Sequence, residues 1–236
     1  MEWQKAYNLP IKTIIGPNGR MTEEAGKFVG LNVKQARKQI LEDLKNANLL
    51  RTQKPISHAV NVHERCETPI EFVKSKQWFV KYLDLKNDLL AWGKEIAWHP
   101  EHMRHRYENW VNGLQWDWLI SNQRFFGVSF PLWYCSACGE PILADEKQLP
   151  VDPLVDKPLA NNCPKCKGIE FVPETDVLNT WFTSSLTPQI AAARVEEKYR
   201  PALFPMDVRP QAHEIISFWL FNTVVKSRLH FNKTPW

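Results

Sequence analysis

The feature that most constrains this chain is a pair of cysteine doublets. Cys135-Ser136-Ala137-Cys138-Gly139 and Cys163-Pro164-Lys165-Cys166-Lys167-Gly168 each set two thiols across a tight turn. Four thiolates on two such turns can converge as a tetrahedron, the geometry of a closed structural Zn²⁺ site. Gly139, Pro164 and Gly168 suit knuckles that grip a metal. The interval between the doublets is longer than in most zinc ribbons, but its Pro and Asp content reads as a loop that absorbs length. Pro141, Pro150, Pro153 and Pro158 deny the segment long helices, so it cannot build much core of its own. The competing reading of the same four residues is disulfides or free thiols.

Four of the five cysteines sit in these doublets, a usage that fits a reducing interior. No apolar run is long enough to span a bilayer, and Met1-Glu2-Trp3-Gln4-Lys5 lacks a signal-peptide pattern. The expectation is a cytoplasmic protein with no membrane partner and no DNA partner. At 236 residues and 44% hydrophobic content, one large or two modest domains with a real core are affordable. The net charge of +4 permits a polyanionic partner without demanding one. Arg104-His105-Arg106 and Lys226-Ser227-Arg228-Leu229-His230 read as solvated, locally positive helix faces. Most of the eleven Trp should be core.

Leu9 to Ile15 reads as a strand ending in the turn Gly16-Pro17-Asn18-Gly19. Thr22 should cap a helical turn begun by Glu23 and Glu24. Asn32 should cap an amphipathic helix, since Val33, Ala36, Ile40, Leu41, Leu44 and Ala47 recur at helical spacing. Pro55 to Val80 reads as short strands. Within it, His63 and Cys66 have metal-like spacing but no second pair, which predicts a structural His and a buried free Cys. Leu83 to Ile96 predicts a helix weakened by Gly93, and Pro100 a second helix with Pro at its first position. Short strands are expected at Trp116 to Ser121, Asp176 to Leu178 and Phe204 to Val208. Helices are expected at Val195 to Tyr199 and, longer, at Ala212 to Arg228.

Several of these segments, in order, resemble one family. Trp118-Leu119-Ile120-Ser121-Asn122-Gln123-Arg124-Phe125-Phe126-Gly127-Val128 resembles the Trp-Cys-Ile-Ser-Arg-Gln segment of class I aminoacyl-tRNA synthetases. Asp176-Val177-Leu178-Asn179-Thr180-Trp181-Phe182-Thr183-Ser184-Ser185 resembles their Asp-Val-Leu-Asp-Thr-Trp-Phe-Ser-Ser segment. Arg209-Pro210-Gln211-Ala212-His213-Glu214-Ile215 resembles the stretch that holds the adenosine. Val62-His63-Glu64-Arg65-Cys66 and Ser185-Leu186-Thr187-Pro188 point to the valine-specific, archaeal-type branch.

The resemblance implies an α/β fold: the second half of a Rossmann-like catalytic domain with a zinc-ribbon insert, preceded by the C-terminal part of an editing domain. Residues 1–52 would be the editing part and 53–80 a β-rich connector. Residues 81–133 and 173–236 would form the catalytic segments, with the ribbon at 134–172. It implies ATP with Mg²⁺, valine and the valine-accepting tRNA as substrates of the whole enzyme, and a structural Zn²⁺. Trp181 and Trp133 would wall the valine pocket. Glu214 would hold the ribose, His213 would line the adenine side, and Ser121 and Gln123 would bind or fix the nucleotide loop. Cys135, Cys138, Cys163 and Cys166 would hold the metal. No residue of this chain is expected to be catalytic in the covalent sense.

The family's His-Ile-Gly-His and Lys-Met-Ser-Lys-Ser segments do not occur in the sequence. The expectation is therefore an internal piece of a longer enzyme, inactive by itself. Asn122, Asn179 and Ala212 stand where the family pattern has Arg, Asp and Gly, which removes charge or close backbone approach at a ligand surface. A rival from another class is a non-catalytic, synthetase-like zinc module that binds tRNA or a protein partner.

Overall fold

A computed structural model describes residues 2–236, which fall into two compact units divided between residues 76 and 77.

In the first unit, helix α1 covers Glu2–Tyr7 and helix α2 Val33–Asn46. The Asn32 cap is realised in full: its side chain accepts the Gln35 amide at 2.9 Å, and Gln35 accepts the Asn32 amide at 3.1 Å. Ala36 is the one hydrophobic residue that α2 buries. Thr22 behaves otherwise than expected. It precedes a 3₁₀ turn at Glu23–Phe28 but caps nothing, because its hydroxyl donates to the Thr13 carbonyl at 2.6 Å. The strand expected at Leu9 to Ile15 is reduced to a single bridge between Ile15 and Met21. The strands expected from Pro55 onward shrink, within this unit, to a bridge between Val62 and Pro69. β-branched residues favour strands only where a partner completes the ladder. Here none does.

The second unit carries the core. Helix α3 (Lys86–Glu95) follows a 3₁₀ turn at Leu83–Leu85, and α4 (Met103–Gly113) packs on it. Leu89, Tyr107, Val111, Phe221, Val224 and Val225 are essentially inaccessible at its centre. Gly93 is a packing requirement here, not merely a weak point of its helix. A Cβ there would lie 2.3 Å from the Tyr107 ring, whose hydroxyl donates to the Leu89 carbonyl at 3.0 Å. Pro100 precedes α4 instead of starting it; its carbonyl accepts the Met103 amide.

Among the described residues, eight short strands form three small antiparallel sheets. Strands β1 (Phe79–Val80) and β2 (Trp118–Leu119) pair together. Strands β3 (Ser121–Asn122) and β4 (Val128–Ser129) flank β8 (Val177–Leu178). Strand β5 (Leu132–Cys135) lies between β6 (Pro141–Leu143) and β7 (Phe171–Pro173). The architecture is mixed α/β, and all strand pairs among the described residues are antiparallel.

Helix α5 (Thr180–Ser184) leaves β8 directly and is followed by α6 (Thr187–Ala193). The helix expected at Val195 to Tyr199 is a 3₁₀ turn at Glu197–Tyr199 leading into α7 (Arg200–Leu203). Phe204 to Val208 is a bent, unpaired segment and not a strand; only the Met206 amide reaches a backbone partner, Pro235. The long helix expected from Ala212 is composite: 3₁₀ at His213–Ile215, π at Ile216–Leu220, then α8 at Phe221–Phe231. Among the tryptophans, Trp118 and Trp219 enter this core and Trp78, Trp92, Trp98 and Trp110 pack against it, while Trp3 and Trp116 remain exposed.

Candidate functional site

The two cysteine doublets fold into matching knuckles. In the first, the Cys135 amide donates to Glu140 and the Gly139 amide to Cys135; in the second, the Cys163 amide donates to Gly168 and the Lys167 amide to Cys163. Gly139 and Lys167, both four residues past the first Cys, have positive φ of 72° and 64°. Strand β5 supplies Cys135, and the loop before β7 supplies Cys163 and Cys166. All four sulfurs lie within 4.8 Å of one another. The close approaches cross between knuckles, Cys135 to Cys166 at 3.4 Å and Cys138 to Cys163 at 3.6 Å. None is a disulfide. These separations are near the roughly 3.8 Å between sulfurs around a tetrahedral Zn²⁺.

One further observation fits a metal. A Cβ at Gly168 would stand 3.2 Å from the Cys135 sulfur and 3.3 Å from that of Cys166, so glycine keeps the cradle open. The four-cysteine cluster can therefore hold a metal ion.

The second pair of possible ligands does not join a cluster. Cys66 is exposed, not buried as expected, because it sits on the turn closed by the Val62–Pro69 bridge. Its sulfur lies 3.4 Å from His63 Nδ1 and 3.2 Å from the Thr68 hydroxyl. Among the described residues no third ligand joins them.

Trp181 stands on α5, and the fold explains its posture. Asn179 caps α5 by accepting the Trp181 amide at 2.9 Å. Asn caps as well as Asp does, so that departure from the family pattern preserves the helix start. Trp181 is 41% exposed, and its ring meets Phe218 edge-on at 5.3 Å. The neighbouring Trp219 is buried and donates its indole N–H to the Ser184 carbonyl at 3.1 Å. Trp219, which sequence reasoning did not single out, is thus one of the aromatics that the fold brings to α5.

Trp133, expected as a second pocket wall, is 2% exposed within the sheet of the insert. Its indole N–H is shared between the carbonyls of Pro153 and Asp156 at 3.2 Å each. Those contacts explain it as packing of the insert, and none of its hydrogen bonds or ring contacts reaches Trp181.

Glu214 and His213 open the composite helix. Both side chains are well exposed and lie 3.8 Å apart. Glu214 follows an unpaired, bent segment instead of the expected strand. Ala212 has φ −77°, a conformation that any residue adopts, so Ala in place of Gly causes no backbone strain. His213 also lines a cavity of about 620 Å³ with Trp98, His99, Arg209, Gln211 and Trp236. Neither Glu214 nor Trp181 lines it. The Arg209 guanidinium lies 4.7 Å over the Trp219 ring.

Ser121 is buried and works as a tether. It accepts the Trp78 amide at 2.8 Å and donates to Gln77 at 2.6 Å. Gln123 donates to Gln77 and, at 2.6 Å, to Asp176. A second tether was not visible in the sequence: Glu174 accepts from the Tyr134 hydroxyl at 2.6 Å and the Trp78 indole at 3.0 Å, joining the insert to the core. Burial alone would raise the Glu174 carboxyl, but Tyr134 and the Asp176 amide hold it below the usual range. Burial and Glu174 push the Tyr134 hydroxyl up to about 12.

Lys226 was expected on a solvated face and is buried instead, at 4% exposure, with its ammonium donating to the Phe182 carbonyl. The long stem of a lysine allows this when a carbonyl and an aromatic face receive the head group. Ser227 is likewise buried, and Arg228 pairs with Glu95.

The model of tRNA synthetases class I (I, L, M and V) matches residues 19–236. The valine–tRNA ligase of Thermoplasma acidophilum is 52% identical over 236 residues, covering 99% of this chain and 29% of that protein. That of Methanopyrus kandleri is 46% identical over 233 residues, covering 99% of this chain and 25% of that protein. The valine–tRNA ligase of Rickettsia conorii is 43% identical over 244 residues. The chain thus spans less than a third of the length of these relatives. No helix among the described residues is long and apolar enough to cross a membrane.

Proposed function

The chain belongs to the class I tRNA synthetases, and we propose that it is the part of a cytoplasmic valine–tRNA ligase that shapes the amino-acid pocket and carries a zinc-ribbon insert. The observation that carries this reading is the 52% identity to a valine–tRNA ligase over nearly the whole chain. In the whole enzyme, ATP with Mg²⁺ and valine would form an adenylate, and the valyl group would pass to its tRNA. Residues 1–52 are assigned to the end of an editing domain, 53–80 to a connector, 134–172 to the ribbon, and 81–133 with 173–236 to the Rossmann-like catalytic domain.

Valine offers only a small, branched, apolar side chain. Its selection depends on rigid walls, since one methyl group is worth about 1–3 kcal/mol. Trp181 is the wall we assign, half-exposed and braced by Phe218. Glu214 would accept a ribose hydroxyl, and His213 would line the adenine side. Ser121 and Gln123 act on the surrounding loop through Gln77, Trp78 and Asp176. These groups bind and orient, and no covalent intermediate with the protein is required.

The four thiolates would hold Zn²⁺, which supplies a cross-link to a Pro-rich segment with little core of its own: Cys135, Cys163 and Ile142 are its buried cluster, with Phe171 against them.

Trp181→Ala in the full-length protein containing this chain tests the pocket. Valine-dependent pyrophosphate exchange should show a valine KM raised about 10- to 100-fold, with the ATP KM little changed. An unchanged valine KM removes Trp181 from the pocket.

A further inference from the structure

Lys226 is a buried cation that none of the roles above uses. Its Nζ donates to the Phe182 carbonyl at 2.7 Å and lies 3.5 Å from the centroid of the Phe182 ring. It takes part in none of the ion pairs among the described residues. Burial pushes its ammonium down to about 8. An ammonium without a counter-ion is expensive to bury, and a methionine would fill the same space more cheaply. The cation therefore matters for what it holds.

It holds the backbone of α5. That helix has five residues, too few to be stable by itself. The Phe182 carbonyl lacks a helical partner, because the Leu186 amide bonds to Thr183 instead, at 3.2 Å. Lys226 and the Ser185 hydroxyl, also at 2.7 Å, take its place. Three side chains of the helical run 213–231 thus reach α5: Phe218 against the Trp181 ring, Trp219 to the Ser184 carbonyl, and Lys226 to the Phe182 carbonyl. The ammonium is the strongest donor of the set, being charged.

We propose that Lys226 is a positioning residue for amino-acid recognition: it fixes α5 from α8 and so sets the orientation of Trp181. The inference rests on Trp181 walling the valine pocket. Lys226 touches neither substrate nor reacting atoms and acts through the Phe182 carbonyl.

The test uses the full-length protein with Lys226→Met, which keeps volume and removes the donor, beside Trp181→Ala. Lys226→Met should raise the valine KM about tenfold while the ATP KM and kcat stay within about twofold. Hydrogen exchange should quicken at the amides of residues 183–186 and remain slow in α3 and α4. An unchanged valine KM, an equal rise in both KM values, or lost protection throughout the core overturns the proposal. If Trp181→Ala leaves the valine KM unchanged, the pocket reading itself has failed, whatever Lys226 does. Should Lys226→Met not fold, Lys226→Arg decides. A valine KM within about threefold of wild type supports a cationic donor, and a tenfold rise contradicts it.

Discussion

The Trp181 ring meets Phe218 edge-on at 5.3 Å, and Phe218 lies one helical turn beyond Glu214. Phe218 reaches Trp181 from the π-helical part of the run, and Glu214 stands on the 3₁₀ turn before it. Phe218→Ala should loosen Trp181 and raise the valine KM by about threefold to tenfold, less than Trp181→Ala, since it removes a ring pair worth about 0.5–1.5 kcal/mol. Pyrophosphate exchange at varied valine checks this.

The metal prediction is stoichiometric. Purified protein should contain one Zn²⁺ per chain. Cys135→Ser should reduce this sharply and loosen β5 to β7, while α2, in the other unit, keeps its helicity. Metal analysis with hydrogen exchange reads both. Less than half an equivalent in the wild type, or a Cys–Cys bond among the four residues, contradicts it.

Gly93→Ala sets two effects against each other. Helix propensity favours Ala by about 1 kcal/mol. The added Cβ would meet the Tyr107 ring at 2.3 Å, and that ring is tied by its hydroxyl to Leu89. Overpacking of this kind costs about 1–3 kcal/mol or more, so the net effect should be a lower melting temperature. A stabilised variant would show that the ring gives way.

Lys226 also predicts a pH dependence. Its folded pKa of about 8 lies below the ordinary 10.5. Between those values the unfolded chain binds more protons than the folded one, so the stability contributed by this group rises with pH. The burial cost is fully present below pH 8 and is relieved as pH climbs. The stability difference between wild type and Lys226→Met should therefore shift in favour of wild type from pH 7 to about 9.5. Tyr82, raised to about 12 by burial and then Asp117, has the opposite effect above pH 10, which sets the upper limit of the scan. Denaturant melts of both proteins at each pH supply the difference, and a constant difference refutes the shift.

Local chemistry made part of this legible. Asn32 and the spacing behind it gave α2, and the two Cys doublets gave the cluster, because a cap and a knuckle are decided within a few residues. The strands at Leu9 to Ile15 and Phe204 to Val208 failed because a strand needs a partner elsewhere in the chain. Lys226 was misread because a charge in a basic run looks solvated; only tertiary packing placed Phe182 above it. Trp219 was not singled out for the same reason, since sequence spacing does not tell which tryptophan faces α5.

The most direct measurement of the central claim is pyrophosphate exchange by the full-length protein over a panel of amino acids. The proposal predicts exchange driven by valine, with isoleucine and threonine weaker by about 100-fold or more in kcat/KM. The chain of residues 1–236 alone should give none. Exchange driven preferentially by another amino acid, or no amino-acid-dependent exchange from the full-length protein, would contradict it.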